Sequence, residues 1–250
     1  VSYALYYNIS GSLNVANGYE ALFQNLSGSY NVSVGAGSLG SNKAGSGGVP
    51  IGYNSQQYAK DAAGAWTNNN TSVGYQALRG SFTAADNTGT LNTAVGYEVL
   101  LNNSIGAANV GIRNNVLSAN TSGTYNVGAG YLALTANILG GYNTAIGGDA
   151  LKSNTSGSDN VAVGYGSLAT QSYNSGAPWA SDNVAIGFYA LNQNSPTSVN
   201  NGQFNVAVGS RALEFNTIGR DNVSVGMQAA RSNTIGQNNV AIGSLAHYSN

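Results

Sequence analysis

The chain has 250 residues, of which only 7% are charged, against roughly 25% in ordinary soluble domains. Eight basic and nine acidic residues leave a net charge of −1, which excludes a polybasic nucleic-acid surface. The absence of cysteine excludes a disulfide framework and a thiolate metal site, and no apolar run approaches the ~18 residues of a membrane-spanning helix.

Thirty-five glycines and three prolines belong to a repeat. An Asn-(Val/Thr)-small-(Val/Ile)-Gly motif begins at Asn14, Asn31, Gly48, Asn70, Asn92, Asn109, Asn126, Asn143, Asn160, Asn183, Asn205, Asn222 and Asn239. Most spacings are 17 residues; the units opening at Gly48, Asn70, Asn160 and Asn183 carry five or six more. Gly48 is a degenerate copy, with glycine where the others have asparagine. Ahead of Asn14, Ala4-Leu5, Asn8 and Gly11 match positions 8, 9, 12 and 15 of a partial copy, and Asn250 falls on position 12 of the last. A fixed period of this kind implies stacked supersecondary units. The expectation is one continuous array over 1–250, about 13 coils plus a partial N-terminal one. An array that starts and stops in mid-repeat, with no capping unit, reads as a fragment of a longer fibre.

Within each unit, positions 2 to 4 read as a short strand. The β-branched residues at 2 and 4 share one face, and the small residue at 3 takes the other. Glycines at 5 and 15 are placed where the chain must turn. Asparagines at 1 and 12 suit turns and could form ladders between successive coils. Positions 6 to 11, such as Gly96-Tyr97-Glu98-Val99-Leu100 with the position 6 tyrosine, fit either one helical turn or a second short strand. The tyrosines at position 6 (Tyr19, Tyr53, Tyr75, Tyr97, Tyr131, Tyr165, with Phe188 equivalent) read as a stacked structural ladder. The fold class is therefore all-β, a parallel β-solenoid or β-roll of ~17-residue coils, with strands ~4.8 Å apart.

So thin a coil buries few aliphatic side chains against the backbone entropy it must lose. The small residues at positions 3 and 8 then suggest that another surface approaches closely. With charge so scarce, the expected partner is another copy of the chain, in a homo-oligomer.

The motifs Asn160-Val161-Ala162-Val163-Gly164, Asn183-Val184-Ala185-Ile186-Gly187 and Asn222-Val223-Ser224-Val225-Gly226 resemble the head repeats of YadA-like trimeric autotransporter adhesins. The longer cadence, Asn143-Thr144-Ala145-Ile146-Gly147 followed by Ala150-Leu151 and Asn154-Thr155-Ser156-Gly157, is similar to repeats of phage and bacterial tail-fibre proteins. YadA-type head coils are usually shorter than 17 residues. The resemblance implies an intertwined or side-by-side homotrimer, an extracellular location on a bacterial surface or a virion tail fibre, and attachment to a host glycan or protein receptor.

The four long units form two belts, at 57–91 and 169–204. Insertions in a solenoid emerge as loops on one face, often the binding face. They carry both tryptophans, and the candidate receptor contacts are Tyr58, Trp66, Phe82, Tyr173, Trp179 and Phe204. The competing reading of Trp66 and Trp179 is that they cover coil edges or fill a groove. Arg113, which breaks the position 5 glycine, is expected to reach solvent.

No catalytic, cofactor or metal site is expected. His247 is the single histidine and sits where other copies have leucine, so serine triads and His-based metal sites lack their parts. The carboxylates are few: Glu20, Asp61, Asp86, Glu98, Asp149, Asp159, Asp182, Glu214 and Asp221. Asp159, Asp182 and Asp221 each precede a position 1 and read as turn residues. The leading functional expectation is a non-enzymatic attachment fibre that binds neither nucleic acid nor membrane. The alternative is a monomeric ice- or surface-binding solenoid, for which position 2 has too few threonines (Thr71, Thr93, Thr144). A polysaccharide-degrading β-helix ranks third, against the shortage of carboxylates.

Overall fold

The computed structural model describes residues 2–60 and 64–247; Asp61 and Asn250 lie outside them. The chain divides into two compact units, Val1–Thr124 and Tyr125–Asn250. In the first, the strands are β1 (Val15–Asn17), β2 (Val32–Val34), β3 (Gly45–Ser46), β4 (Val49–Ile51), β5 (Trp66–Thr67), β6 (Thr71–Val73), β7 (Thr93–Val95) and β8 (Val110–Ile112). In the second they are β9 (Val127–Ala129), β10 (Thr144–Ile146), β11 (Gly157–Ser158), β12 (Val161–Val163), β13 (Trp179–Ala180), β14 (Val184–Ile186), β15 (Val206–Val208), β16 (Val223–Val225) and β17 (Val240–Ile242).

Each unit is a parallel β-solenoid with one three-residue strand per repeat. In the first, β1, β2, β4, β6, β7 and β8 pair in that order, all parallel. In the second, β9, β10, β12, β14, β15, β16 and β17 do the same. Register follows the repeat, as in Val161↔Val184, Ala162↔Ala185 and Val163↔Ile186, where a 23-residue spacing keeps the alignment because the extra residues loop out. The residue pairs β3–β5 and β11–β13 form two further small parallel ladders.

The pleat has the period expected but the opposite sense of burial. The small residue at position 3 points into the coil: Ala94, Ala145, Ala162, Ala185 and Ala207 are fully buried. The β-branched residues at 2 and 4 point out, and Val73, Val95, Ile146 and Ile186 are all more than a third exposed. Smallness at 3 and 8 therefore serves the interior and does not admit a neighbouring surface. Room at position 3 is tight where position 8 is large: a Cβ on Gly111 would collide with the buried Val99 side chain.

Positions 6 to 11 are neither a helical turn nor a strand. They form consecutive turns in which residues 7 and 9 are left-handed, as in Glu98 and Leu100 (both φ 52°) or Asp149 and Leu151 (φ 56° and 49°). Each turn closes locally and also bonds the next coil: Asn154 N–H donates to Leu151 O at 3.1 Å, and Leu151 N–H to Ser167 O at 3.1 Å. A left-handed leucine costs on the order of 1–2 kcal/mol. Full burial of the side chain, as in Leu100, Leu117, Leu134, Leu151, Leu168, Leu191 and Leu213, returns a similar or larger amount.

The remaining core is polar. Position 1 asparagines accept the backbone N–H of the next copy: Asn160 N–H donates to Asn143 Oδ1 and Asn183 N–H to Asn160 Oδ1, both at 3.1 Å. Position 12 asparagines form a second ladder, with Asn154 Nδ2 donating to Asn137 Oδ1 at 2.9 Å and to Gly157 O at 2.8 Å. These side chains are buried and bonded, which is what burial of an amide requires. The two glycines differ in role. Position 5 needs positive φ, +133° at Gly147. Position 15 does not: a Cβ on Gly140 would lie 2.6 Å from Asn137 Oδ1, so its glycine makes room for the ladder.

Outside the coil, the position 6 tyrosines stack as expected, Tyr53 on Tyr75 at 5.4 Å and Tyr75 on Tyr97 at 5.2 Å between centroids. A second column at position 17 was not legible as such in the repeat: Tyr125 stacks on Tyr142 at 5.0 Å. Arg113 is exposed, as expected, and holds φ at 98° where its counterparts are glycine.

Candidate functional site

The first belt belongs to the first unit. At Gly48 the asparagine ladder lacks its residue, and Asn68 from the end of the insertion fills the gap. Its Oδ1 accepts Asn70 N–H at 3.2 Å, while Gly48 N–H donates to Asn31 Oδ1 at 2.9 Å. A Cβ on Gly48 would come 2.7 Å from Asn68 Nδ2, so glycine at 48 is what admits the substitute. Gln56 takes the leucine slot at position 9 and accepts from Asn68 Nδ2 at 2.9 Å.

The position 12 ladder is interrupted here by Ala59 and Ser81, and Trp66 occupies the region instead. β5 pairs with β3, and the Trp66 indole lies over Gly45, where a Cβ would come within 2.7 Å of Cε2. Trp66 packs against the cluster of Leu22, Leu39 and Ala59. Tyr58 and Phe82 meet at 5.3 Å between centroids, and the Arg79 guanidinium lies 4.7 Å from the Phe82 centroid. Arg79 Nη1 also donates to Gln76 Oε1 at 3.3 Å. Asn87 ties the loop, donating to Ser81 O at 2.8 Å and accepting Ser81 N–H at 2.9 Å.

Tyr58, Trp66, Arg79 and Asn87 line a small cavity of about 20 Å³. Trp66 Nε1 and Arg79 Nε are both buried with no acceptor among the described residues. A buried donor without an acceptor costs about 1–3 kcal/mol, so the cavity favours an oxygen acceptor of roughly water size. Arg79 is the residue the sequence reading passed over. One cation among so few, at the head of an insertion, was the available signal.

The second belt belongs to the second unit and keeps its ladder. Gln171 replaces the position 12 asparagine, its Nε2 donating to Asn154 Oδ1 and its Oε1 accepting from Asn194 Nδ2, both at 3.1 Å. β13 pairs with β11 through Gly157↔Trp179. Trp179 is 7% exposed, and its ring meets Tyr173 edge-on at 6.0 Å. Its Nε1 is buried with no acceptor among the described residues.

The six candidates thus fall into three groups. Tyr58, Trp66 and Phe82 gather in the first belt, and Tyr173 pairs with Trp179 in the second. Phe204 stands apart at position 17, 45% exposed. Phe82, 75% exposed, is the most open aromatic among them, whereas both tryptophans are largely packing residues.

Asp159, Asp182 and Asp221 adopt the left-handed conformation of turn residues, with φ of 64°, 48° and 56°. Partial burial, and then the charge of Asp182, push the Asp159 carboxyl above its ordinary 3.8. No group of three or more His, Cys, Asp or Glu gathers to hold a metal among the described residues. No family model, curated protein or solved structure matches this chain.

Proposed function

We propose that this chain is a segment of a homotrimeric attachment fibre of the kind its YadA-like motifs suggest, extracellular and non-enzymatic. The observation that carries the reading is the outward sheet face. Two columns at positions 2 and 4, mostly Val and Ile with Thr in some copies of position 2 and with Asn17 and Ala129 as exceptions at position 4, stand in register on successive coils and remain substantially open to solvent. Strand residues at these two positions include no charged side chain. A regular apolar face of this sort is what a protein–protein interface buries. Its β-branched residues complement a second copy of themselves around a symmetry axis. Chains would then meet through Val184, Ile186 and their column neighbours rather than through the small residues.

The belts are the receptor-contact surface in this reading. Phe82 offers the open aromatic area, with Tyr58 half-buried beside it, whereas the donors Trp66 Nε1 and Arg79 Nε face a cavity that admits only a water-sized acceptor.

Sedimentation equilibrium tests the assembly. The expected mass is three times the 25.3 kDa chain, and Ile186→Glu, on the outward face, is expected to give a folded monomer. A wild-type monomer would overturn the trimer, and thermal hysteresis from that monomer would favour the surface-binding solenoid. For the belts, Phe82→Ala in an intact fibre is expected to weaken retention on host cells at least about tenfold, one anchor being worth ~1.4 kcal/mol or more.

A further inference from the structure

We propose that the lateral face formed by Tyr3–Tyr7 and Tyr19–Gln24 binds an organic cation of the trimethylammonium type, a choline-like head group. This proposal stands apart from the attachment reading and uses none of the belt residues.

Two successive coils build the face. Leu5 N–H donates to Ala21 O at 3.0 Å and Tyr7 N–H to Phe23 O at 3.2 Å, which holds the two segments side by side. Five aromatic rings collect on them. Tyr3 stands edge-on to Tyr6, Tyr19 and Phe23 at 5.4, 6.0 and 6.4 Å, and Tyr6 stacks on Phe23 at 5.8 Å. Tyr7 meets Phe23 edge-on at 5.0 Å. With Glu20 they line a depression of about 350 Å³, within the range of small-molecule sites.

The coil itself does not call for these rings. Tyr6 and Phe23 occupy position 10 and Tyr7 position 11, where other copies carry Ser118-Ala119, Thr135-Ala136 or Lys152-Ser153. All four tyrosines remain half exposed, between 50% and 59%. An open aromatic cluster that packing does not require marks a contact surface.

Charge selects the ligand. Glu20 is the one charged residue lining this depression, while Lys43 lines the neighbouring one beside Tyr7 and Gln24. Its hydrogen bond to Tyr19, and then its charge, hold the Tyr19 phenol above its ordinary 10.0, so the phenol stays neutral and the carboxylate supplies the negative charge. Glu20 and Phe23 also line the adjoining depression of about 200 Å³. Ring faces and one carboxylate attract a cation together. A primary ammonium would need several hydrogen-bond acceptors in place of its water. A trimethylammonium group has no donors, and its methyls contact aromatic carbon directly.

Titration of the full chain with choline chloride, followed by the tyrosine ring signals in NMR spectra, tests this. Saturable shifts of Tyr3, Tyr6 and Tyr19 are expected in the millimolar range. The neutral isostere 3,3-dimethyl-1-butanol is expected to bind roughly tenfold more weakly, since it keeps the shape and lacks the charge. Glu20→Gln, an isosteric change, is expected to weaken choline by a similar factor, and Tyr53→Leu, elsewhere on the tyrosine column, to leave it unchanged. Co-sedimentation with phosphatidylcholine vesicles, competed by free choline, would assign the head group to a lipid surface; choline binding without co-sedimentation would assign it to a soluble ligand. Equal affinity for choline and its isostere, or no saturable shift with either, overturns the proposal.

Discussion

A buried asparagine in this chain does the work that a hydrophobic side chain does in most cores. Asn160 accepts Asn183 N–H, donates to Asn143 Oδ1 at 2.8 Å and to Ser158 O at 3.1 Å, and is fully buried. Alanine in its place would strand donors and acceptors on both neighbouring coils. Asn160→Ala is expected to lower unfolding free energy by about 2–3 kcal/mol in urea denaturation, although it removes no apolar surface. Asp159, one residue earlier, sets a pH dependence. Its carboxyl is raised in the folded state, so its contribution is favourable below the ordinary 3.8 and is lost as pH rises through the folded value. Against wild type, Asp159→Asn is expected to gain relative stability as pH climbs through the carboxylate range. The difference should be modest because the side chain is exposed. Comparing the two proteins' denaturation midpoints across that range measures it; a constant difference would show that Asp159 does not titrate differently on folding.

At the scale of the element, the long units keep the period by substitution. Asn68 stands in for the asparagine missing at 48, and Gln171 bridges Asn154 and Asn194 where position 12 changes identity. Trp66 replaces the ladder outright, covering Gly45 and packing on Leu22, Leu39 and Ala59. The two belt aromatics with opposite surroundings separate packing from recognition. Trp66→Ala is expected to cost about 3–5 kcal/mol of stability. Phe82→Ala, on an open ring, is expected to stay within about 0.5 kcal/mol. Thermal melts of both variants check the pair, and equal losses would mean that Phe82 is also structural.

For the molecule as a whole, the outward Val and Ile columns bear on association. An interface made of them is driven by apolar burial and carries no ion pairs to screen. The assembled mass is therefore expected to persist at ~1 M sodium chloride, where the screening length falls to ~3 Å. Light scattering across a salt series checks this, and dissociation at high salt would point to a polar interface elsewhere. The outward sheet face is a different face from the one that residue size alone suggested.

The repeat was readable because each position carries one chemical demand in nearly every copy. Seventeen-residue spacing, β-branched residues at 2 and 4, and glycine at 5 sufficed for strand, register and a parallel solenoid. The tyrosine column followed from the same regularity. Alternation of side chains, however, specifies two faces without saying which is inside. That choice depends on how the closed coil is filled: the small residues at position 3, the position 9 leucines and two asparagine columns occupy its interior, and the β-branched residues at 2 and 4 stay outside. The left-handed turn leucines were hidden for a related reason: their strain is tolerable only once the neighbouring coil buries them. The belts were visible as breaks in period, whereas Asn68 in the ladder and Arg79 over Phe82 come from residues distant along the chain. Those pairings exist only after the coils stack, so they belong to the tertiary structure.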